Sequence, residues 1–528
     1  MINQRIINAL ESCVGKIPPK HEIELIKDES WGDFASNLPF ILAQEKKVSA
    51  KLLAEELAKK LVSYPDFAQV LVGGNGFLNF TISDKLLQEG LRIASDEDFG
   101  KSEVGRGEKI LLEYVSANPT GPLNVVQARA AALGNALGNI LRFAGFSVTT
   151  EYYVNDSGTQ VELLYQSLLT RIKELKGEKA ELPEGGYPGK YLLDIAKEIL
   201  TGRFPETEWR QYLLTTILKN QQSSLAKFGI HFDNFVNESK FIDRIDEVLK
   251  KLAKVGKSYE KEGALWFRAT DFGDTEDRVL LTKEGRPTYF ITDLAYHIDK
   301  LARGFDRLIN IWGPDHHGYI ARLKGGIAAL GYPSEKLEII IAQQVSLLKE
   351  KEKIAMSKRA GEFITLDEVM DEISSDALKF FLLLRKASQH LEFDIALAKK
   401  STQENPVYYV QYAHARICNI LKFALEKGTA SSKGVNLSLL HEPEERRLAK
   451  LTIYFPDVIE RAALLREPHR LVYFLLDIAT AFHYFYERQR VVTDNKELTQ
   501  ARLYLCQCVQ KVLANGLSLI GVSTPEKM

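Results

Sequence analysis

"KILLEYVSANPTGPLNVVQARAAALGNAL", residues 109–137, decides the fold. Its opening, "KILLEYVS", reads as a buried strand. The prolines and glycine of "NPTGP" then force a tight turn, and an alanine-rich helix follows to about Phe143. Such a turn brings free backbone N–H groups together at the start of a helix, where the helix dipole also favours negative charge. This predicts an anion site. Gly121 lets the backbone approach a ligand, Pro122 stiffens the entry, and "AAALG" (130–134) lets the helix lie close on a sheet. A second reading stays open: Asn124 is a good N-cap, and Gln127, three residues on, is placed as its capping-box partner.

Working outward, "SVTTEYYV" (147–154) is the next strand. The order strand–turn–helix–strand begins a doubly wound α/β sheet. The pattern pauses for a mostly helical insertion at about 158–260, then resumes with "RVLLT", "DRLINIWG" and "EIIIAQQV". Before it, residues 1–100 mix helical spacing in "AKLLAEELAKKLV" with the strand-like "VLVGGNGFLNFTIS", and a polar stretch links them to the strand at 109. The expectation is a multidomain α/β protein. An α+β N-terminal domain (1–100) precedes a split, doubly wound Rossmann-type domain (108–366), and an all-helical C-terminal domain (367–528) follows.

The chain has 528 residues, enough for about three domains of ordinary size. A net charge of −1 neither favours nor excludes nucleic acid, because the local field at a contact decides binding. Four scattered cysteines fit no disulfide framework or four-ligand zinc site and suit a reducing cytosol. The start "MINQRIINALESCVGK" is amphipathic and lacks a secretory apolar core, and the longest apolar run, "FFLLL" at 380–384, is too short for a bilayer. A soluble cytoplasmic protein without membrane contact is expected.

"SANPTGPLNVVQARAAALGNAL" resembles the first signature of class I aminoacyl-tRNA synthetases, in the form found in arginyl-tRNA synthetases. "AMSKRAGEFITLDEV" (355–369) resembles their second, lysine-bearing signature. The resemblance covers nearly the whole chain. "WGDFASN" (31–37) and "GFLNF" (76–80) look like the family's N-terminal domain. "YVNDSGTQV" (153–161) and "WGPDHHGY" (312–319) fit its core. "NPVYYVQYAHARI" (405–417), "FHYFYERQRV" (482–491) and "LIGVSTPEKM" look like its anticodon-binding domain. The first signature departs from the pattern: two family histidines are Asn124 and Gln127 here, and Val126 replaces the glycine before the second. Ala355 stands where a lysine is common, while Lys358 is intact.

What the resemblance implies is ATP-dependent attachment of L-arginine to tRNA(Arg) by a monomer, with Mg2+ accompanying ATP and no structural metal. The arginine carboxylate is already nucleophilic, so the protein has to position reactants and spread phosphate charge. Lys358, Asn124 and Gln127 become the candidate catalytic groups. Losing two imidazolium donors costs roughly 1–2 kcal/mol apiece, yet both amides still offer neutral N–H donors. ATP would lie on Ala117, Pro119, Thr120, Gly121, Pro122, Leu123, Val125 and Val126, with His316, His317, Met356 and Ser357 nearby. Lys358 would ride on a lid bounded by Gly361, with Lys351 and Lys353 as further cations; the alternative is a solvated charged loop.

Arginine requires carboxylates that meet a planar guanidinium, with apolar or aromatic walls. The resemblance points to Glu113, Asn118, Tyr289 and Asp293, with Asp315 weaker. A carboxylate ending an apolar strand, as Glu113 does, wants a cationic partner. Tyr289 and Asp293 share a face if their segment is helical. Adjacent His316 and His317 diverge too far to share a metal ion.

On the RNA side, Asn405, Tyr408, Tyr409, Tyr412 and Arg416 share a helical face, and splayed anticodon bases stack on such aromatic and arginine surfaces. The resemblance makes Tyr408, Tyr412 and Arg416 tRNA contacts, and Asp33 and Asn37 contacts to the outer corner of the tRNA. The rival reading is a catalytically impaired tRNA-binding paralogue, which the missing histidines would suit.

Overall fold

The computed structural model of the chain describes residues 2–18, 20–349, 352–353, 364–430 and 434–528, with 349, 352 and 353 described by backbone alone. Its centre is a five-stranded parallel sheet ordered Leu337–Ile341, Arg307–Trp312, Lys109–Glu113, Ser147–Val154 and Asn234–Asn237. The first of these strands in sequence lies in the middle. The next two extend the sheet on one side and the last two on the other. Strand order therefore reverses between Lys109–Glu113 and Arg307–Trp312, and doubly wound sheets bind ligands at the carboxyl ends of such a reversal. Ile110, Leu111 and Leu112 are buried, as a parallel strand covered on both faces requires.

The helix after the turn, Val125–Phe143, lies flat on this sheet because it is built of small residues. A Cβ on Gly134 would come within 2.2 Å of the Tyr114 ring, so only glycine fits there. This helix and the strand Ser147–Val154 match the sequence reading closely.

The insertion contributes helices Thr159–Leu175, Lys190–Glu198 and Trp209–Lys227, packed on their own core of Leu164, Leu168, Ile195, Leu213 and Ile217. Its later part is less helical than expected. Asn234–Asn237 returns to edge the central sheet, and Ser258–Lys261 opens a separate antiparallel sheet with Ala264–Phe267 and Arg278–Leu281. "RVLLT" is thus a strand, but not of the doubly wound sheet. Only Leu280 in it is buried, which suits a small one-faced sheet and not a strand covered on both sides. "EIIIAQQV" is likewise divided: Leu337–Ile341 ends the central sheet, and Val345–Lys349 begins another.

The region after 367 is not helical throughout. Leu391–Asp394 pairs in parallel with Val345–Lys349, because Leu391 and Phe393 alternate inward while Asp394 caps the short helix Ile395–Ala398. Four long helices follow, Pro406–Glu426, Pro443–Leu465, His469–Arg488 and Lys496–Leu519. At the other end, helix Ile2–Val14 and a four-stranded antiparallel sheet form the N-terminal region, whose hairpin pairs Phe67–Gly73 with Phe77–Ile82. One hydrophobic core runs from these elements through Val125–Phe143 into the C-terminal helices. Gly90 and Ile453 illustrate how closely they meet, since a Cβ on Gly90 would lie 2.8 Å from the isoleucine side chain. No helix among the described residues is long and apolar enough to cross a membrane.

Candidate active site

The site is built at the carboxyl end of Lys109–Glu113. Directly beyond it, Val115 and Ser116 take left-handed conformations, with φ of 69° and 39°. For a β-branched valine this is a true outlier that only surrounding structure can hold. The hold is visible: Ser116 Oγ donates to Glu113 Oε1 at 3.0 Å and accepts from the Tyr153 N–H at 3.1 Å. The turn itself is clamped from the insertion and from the neighbouring strand Ser147–Val154. Gln221 Nε2 donates to the carbonyls of Asn118 (3.1 Å) and Gly121 (2.8 Å), Tyr191 donates to that of Thr120 (2.5 Å), and Tyr152 to that of Ala117 (3.1 Å). Gly121 does bring the backbone close to something, but that something is Tyr191, whose hydroxyl a Cβ would meet at 3.1 Å. Sequence reasoning passed over Gln221 and Tyr191, which come from elements far along the chain, and Tyr152 of the next strand; none carries a local motif.

At the helix start the capping box is formed. Asn124 Oδ1 accepts from the N–H groups of Val126 (2.9 Å) and Gln127 (3.3 Å), and Gln127 Oε1 accepts from the Asn124 N–H (3.0 Å). The expected free N–H groups at this tip are therefore mostly taken, because a side-chain oxygen satisfies them first. What the tip still presents is the helix dipole and the two amide nitrogens of Asn124 and Gln127, which have no partner among the described residues. Pro119, Pro122, Leu123 and Val125 line the turn and first helical residues as the sequence placed them.

Helix Tyr289–Ala302 meets the end of Lys109–Glu113 through Lys300, and Tyr289 and Asp293, four apart, do share a face of it. Asp293 is partly covered and accepts from the Tyr319 hydroxyl at 2.8 Å. Burial, with Glu113 and Glu238 nearby, pushes its carboxyl up to about 7, against the pull of Tyr319 and Lys300. Tyr289 is 45% exposed and stands at the mouth. Asn118 Nδ2 donates to Gln160 Oε1 at 2.6 Å. Glu113 is buried, and its cation is internal: fully buried Lys300 forms the ion pair with it. Lys300 also donates to Asn310 (3.2 Å), whose amide meets His297 Nε2 (2.8 Å), and His297 Nδ1 bonds the Asp293 carbonyl (2.7 Å). Burial, then Lys300, holds the His297 imidazole well below its ordinary value, so it stays neutral. The partner that Glu113 wanted lies far away in sequence, which is why the strand pattern alone left it open.

Asp315, His316 and His317 occupy an exposed 3-10 turn, Pro314–Tyr319, at the end of Arg307–Trp312. The two histidines are not core residues; His316 packs beside Trp312, with ring centroids 5.7 Å apart. Of the second signature, Lys351, Ala355, Met356, Ser357, Lys358 and Gly361 lie outside the described residues, as does the Lys353 side chain. Its far end is described. Thr365 forms a bridge with Asn124, and the Leu366 N–H donates to the Leu123 carbonyl at 2.8 Å, so the signature ends against the helix tip. Buried Arg129 ties the same helix to the segments that lead into the paired strands Val345–Lys349 and Leu391–Asp394, by donating to the carbonyls of Gln343 (2.7 Å) and Lys386 (3.1 Å).

The proposed RNA contacts divide. Tyr408 and Tyr412 stack with centroids 6.0 Å apart, and the Arg416 guanidinium sits between the rings of Tyr412 (4.5 Å) and Tyr486 (4.7 Å), all partly accessible. Asn405 is buried and caps its helix, and Tyr409 packs on His483. Asp33 is not on the surface: it is 5% exposed, pairs with Lys450 at 2.7 Å, and accepts from the Ile82 N–H at 2.9 Å. A carboxylate already paired and buried between domains has no charge to offer a tRNA. Asn37 is partly buried and accepts from the Glu22 N–H at 2.8 Å.

Comparison with known proteins agrees with this arrangement. Residues 1–82 match the model for the arginyl-tRNA synthetase N-terminal domain. Residues 92–185 and 199–396 match the class I (R) catalytic domain, and 410–528 the DALR anticodon-binding domain. The arginine–tRNA ligase of Citrifermentans bemidjiense is 42% identical over 99% of both chains. That of Legionella pneumophila is 39% identical over 100% of this chain and 99% of its own. The solved arginyl-tRNA synthetase of Thermus thermophilus shares the fold with a TM-score of 0.79, at 24% identity over 100% of this chain and 99% of its own. With its three segments matched in order and its relatives matched end to end, this chain belongs to the arginyl-tRNA synthetase family of class I aminoacyl-tRNA synthetases.

Proposed function

We propose that the chain joins L-arginine to tRNA(Arg) in two steps at the expense of ATP. The arginine carboxylate attacks the α-phosphorus of MgATP, and diphosphate leaves. A ribose hydroxyl of the tRNA then attacks the carbonyl of the arginyl adenylate, and AMP leaves. Neither step needs a covalent enzyme intermediate, so positioning and charge stabilisation carry the catalysis.

The reading rests on one convergence. The first-signature turn, Glu113, Asn118, Asp293 and the end of the second signature meet at the carboxyl ends of the two central strands. In this reading Glu113 and Asp293 attract the guanidinium, Tyr289 walls the mouth, and Asn118 holds the α-amino or carboxylate end. The amide nitrogens of Asn124 and Gln127 donate to phosphate oxygens. Lys358 of the second signature supplies a cation to the phosphates in this reading. Tyr408, Tyr412 and Arg416 stack on anticodon bases, and the protein works in the cytoplasm as a monomer.

Charging purified tRNA with each labelled amino acid tests this. Arginine alone should be loaded, with AMP released. Loading of another amino acid would overturn the substrate assignment, and tRNA binding without any loading would favour the impaired paralogue.

A further inference from the structure

Two polar groups in the pocket are unused by the roles given so far. Tyr153, near the end of its central strand, is 8% exposed, and its hydroxyl has no hydrogen-bond partner among the described residues. Its ring is stacked on Tyr296 with centroids 4.3 Å apart, which fixes where the hydroxyl points. Buried tyrosine hydroxyls normally find partners. Glu238 is 3% exposed, accepts from Ser157 Oγ at 2.8 Å and from the Asn155 amide, and forms no ion pair among the described residues. Burial raises its carboxyl, with Asp156 adding to the effect.

Both lie against helix Tyr289–Ala302: Tyr296, three residues after Asp293, stacks on Tyr153 and also packs on Phe241, three residues after Glu238, with ring centroids 5.1 Å apart. Burial and then the fields of Asp293, Glu238 and Glu113 push the Tyr153 phenol upward, and Glu238 also acts on Asp293, Tyr289 and Tyr319. Among the described residues, Lys300 is the buried lysine that pairs with one of the carboxylates Glu113, Asp293 and Glu238, and its partner is Glu113. Carboxylates removed from water without a cation are costly. Buried carboxylates beside an unpartnered hydroxyl suit a planar, multi-donor cation, and guanidinium, with five N–H donors, matches that arrangement better than an ammonium.

We propose that Tyr153 and Glu238 are specificity-determining residues of this pocket, the Tyr153 hydroxyl accepting a guanidinium N–H and Glu238 adding a third carboxylate to select a full cation. This rests on reading the pocket as the arginine site. Sequence reasoning quoted "YVNDSGTQV" without isolating its tyrosine, and Glu238 carries no motif.

The test uses the full chain with saturating tRNA, comparing wild type with Tyr153→Phe and Glu238→Gln, both of which keep shape. The KM for arginine should rise about tenfold in each, while the KM for ATP, kcat and the melting temperature change little. In Glu238→Gln, the preference in kcat/KM for arginine over the more weakly basic canavanine should fall about fivefold. An unchanged arginine KM in both variants, or an equal rise in the KM for ATP, would overturn the inference. A wild type that loads no arginine would remove the underlying reading as well, whereas a loading wild type with unaltered variants would remove the inference alone.

Discussion

Asp293 sits where desolvation competes with the Tyr319 hydroxyl and the charge of Lys300, and desolvation prevails: its carboxyl rises to about 7 from an ordinary value of 3.8. A raised folded-state value means that the stability it contributes is complete below the unfolded value and is lost as pH rises towards about 7, where the covered carboxylate must ionise. Asp293→Asn should therefore raise the melting temperature of the ligand-free protein by a few degrees at pH 8 and by clearly less at pH 5, where only part of that stability has been lost. The same substitution should cut arginine loading by at least about 100-fold, since truncating one partner of a buried charge pair costs roughly 3–5 kcal/mol. For the wild type, the KM for arginine should rise between pH 8 and pH 6 as the carboxyl takes up its proton. Calorimetric melting at the two pH values and steady-state charging check each point. At this scale the sequence marked Glu113, Asn118, Tyr289 and Asp293 through their motifs. It could not show that Lys300 already neutralises Glu113, because a pairing 187 residues apart leaves no periodic trace.

The helix Val125–Phe143 shows what a local pattern does and does not disclose. Its limits, its cap and its need for small residues were all legible, because propensity, capping and close packing act within a few residues of each other. "RVLLT" was legible as a strand and misplaced in its sheet, because its partner Ala264–Phe267 is chosen by tertiary contacts that an apolar run does not encode. The capping box also separates two roles of Asn124. Asn124→Ala should cost about 1 kcal/mol of stability by removing the cap. Asn124→Asp keeps an acceptor for Val126 and Gln127, so stability should hold. It also replaces a donor with a negative charge facing phosphate, so adenylate formation should fall at least about tenfold. A fully active Asn124→Asp enzyme would leave Asn124 as a cap and nothing more.

Across the whole molecule, Asp33 and Lys450 join the two ends of the chain. Lys450 also reaches Glu29 at 3.0 Å, and neighbouring Arg446 pairs with Asp84. Lys450→Met would strand a buried carboxylate and should destabilise the protein by about 3 kcal/mol, with part of the loss recovered by adding Asp33→Asn. Denaturant titration of the single and double variants measures that coupling. Sequence likeness assigned Asp33 to RNA contact because the motif "WGDFASN" says where the residue belongs in a family, not which neighbour covers it. The order of the three regions was readable from motif spacing; the shared core and the clasp between the ends were not.

The central claim is that a first signature with Asn124 and Gln127 in place of two histidines still supports activation of arginine. Arginine-dependent exchange of labelled diphosphate into ATP, measured with tRNA(Arg) present, tests it most directly. The wild type should sustain exchange, and Gln127→Ala should lose at least about tenfold of it. A wild type that binds tRNA and arginine yet exchanges no diphosphate would contradict it, and so would a Gln127→Ala variant that exchanges at the full rate.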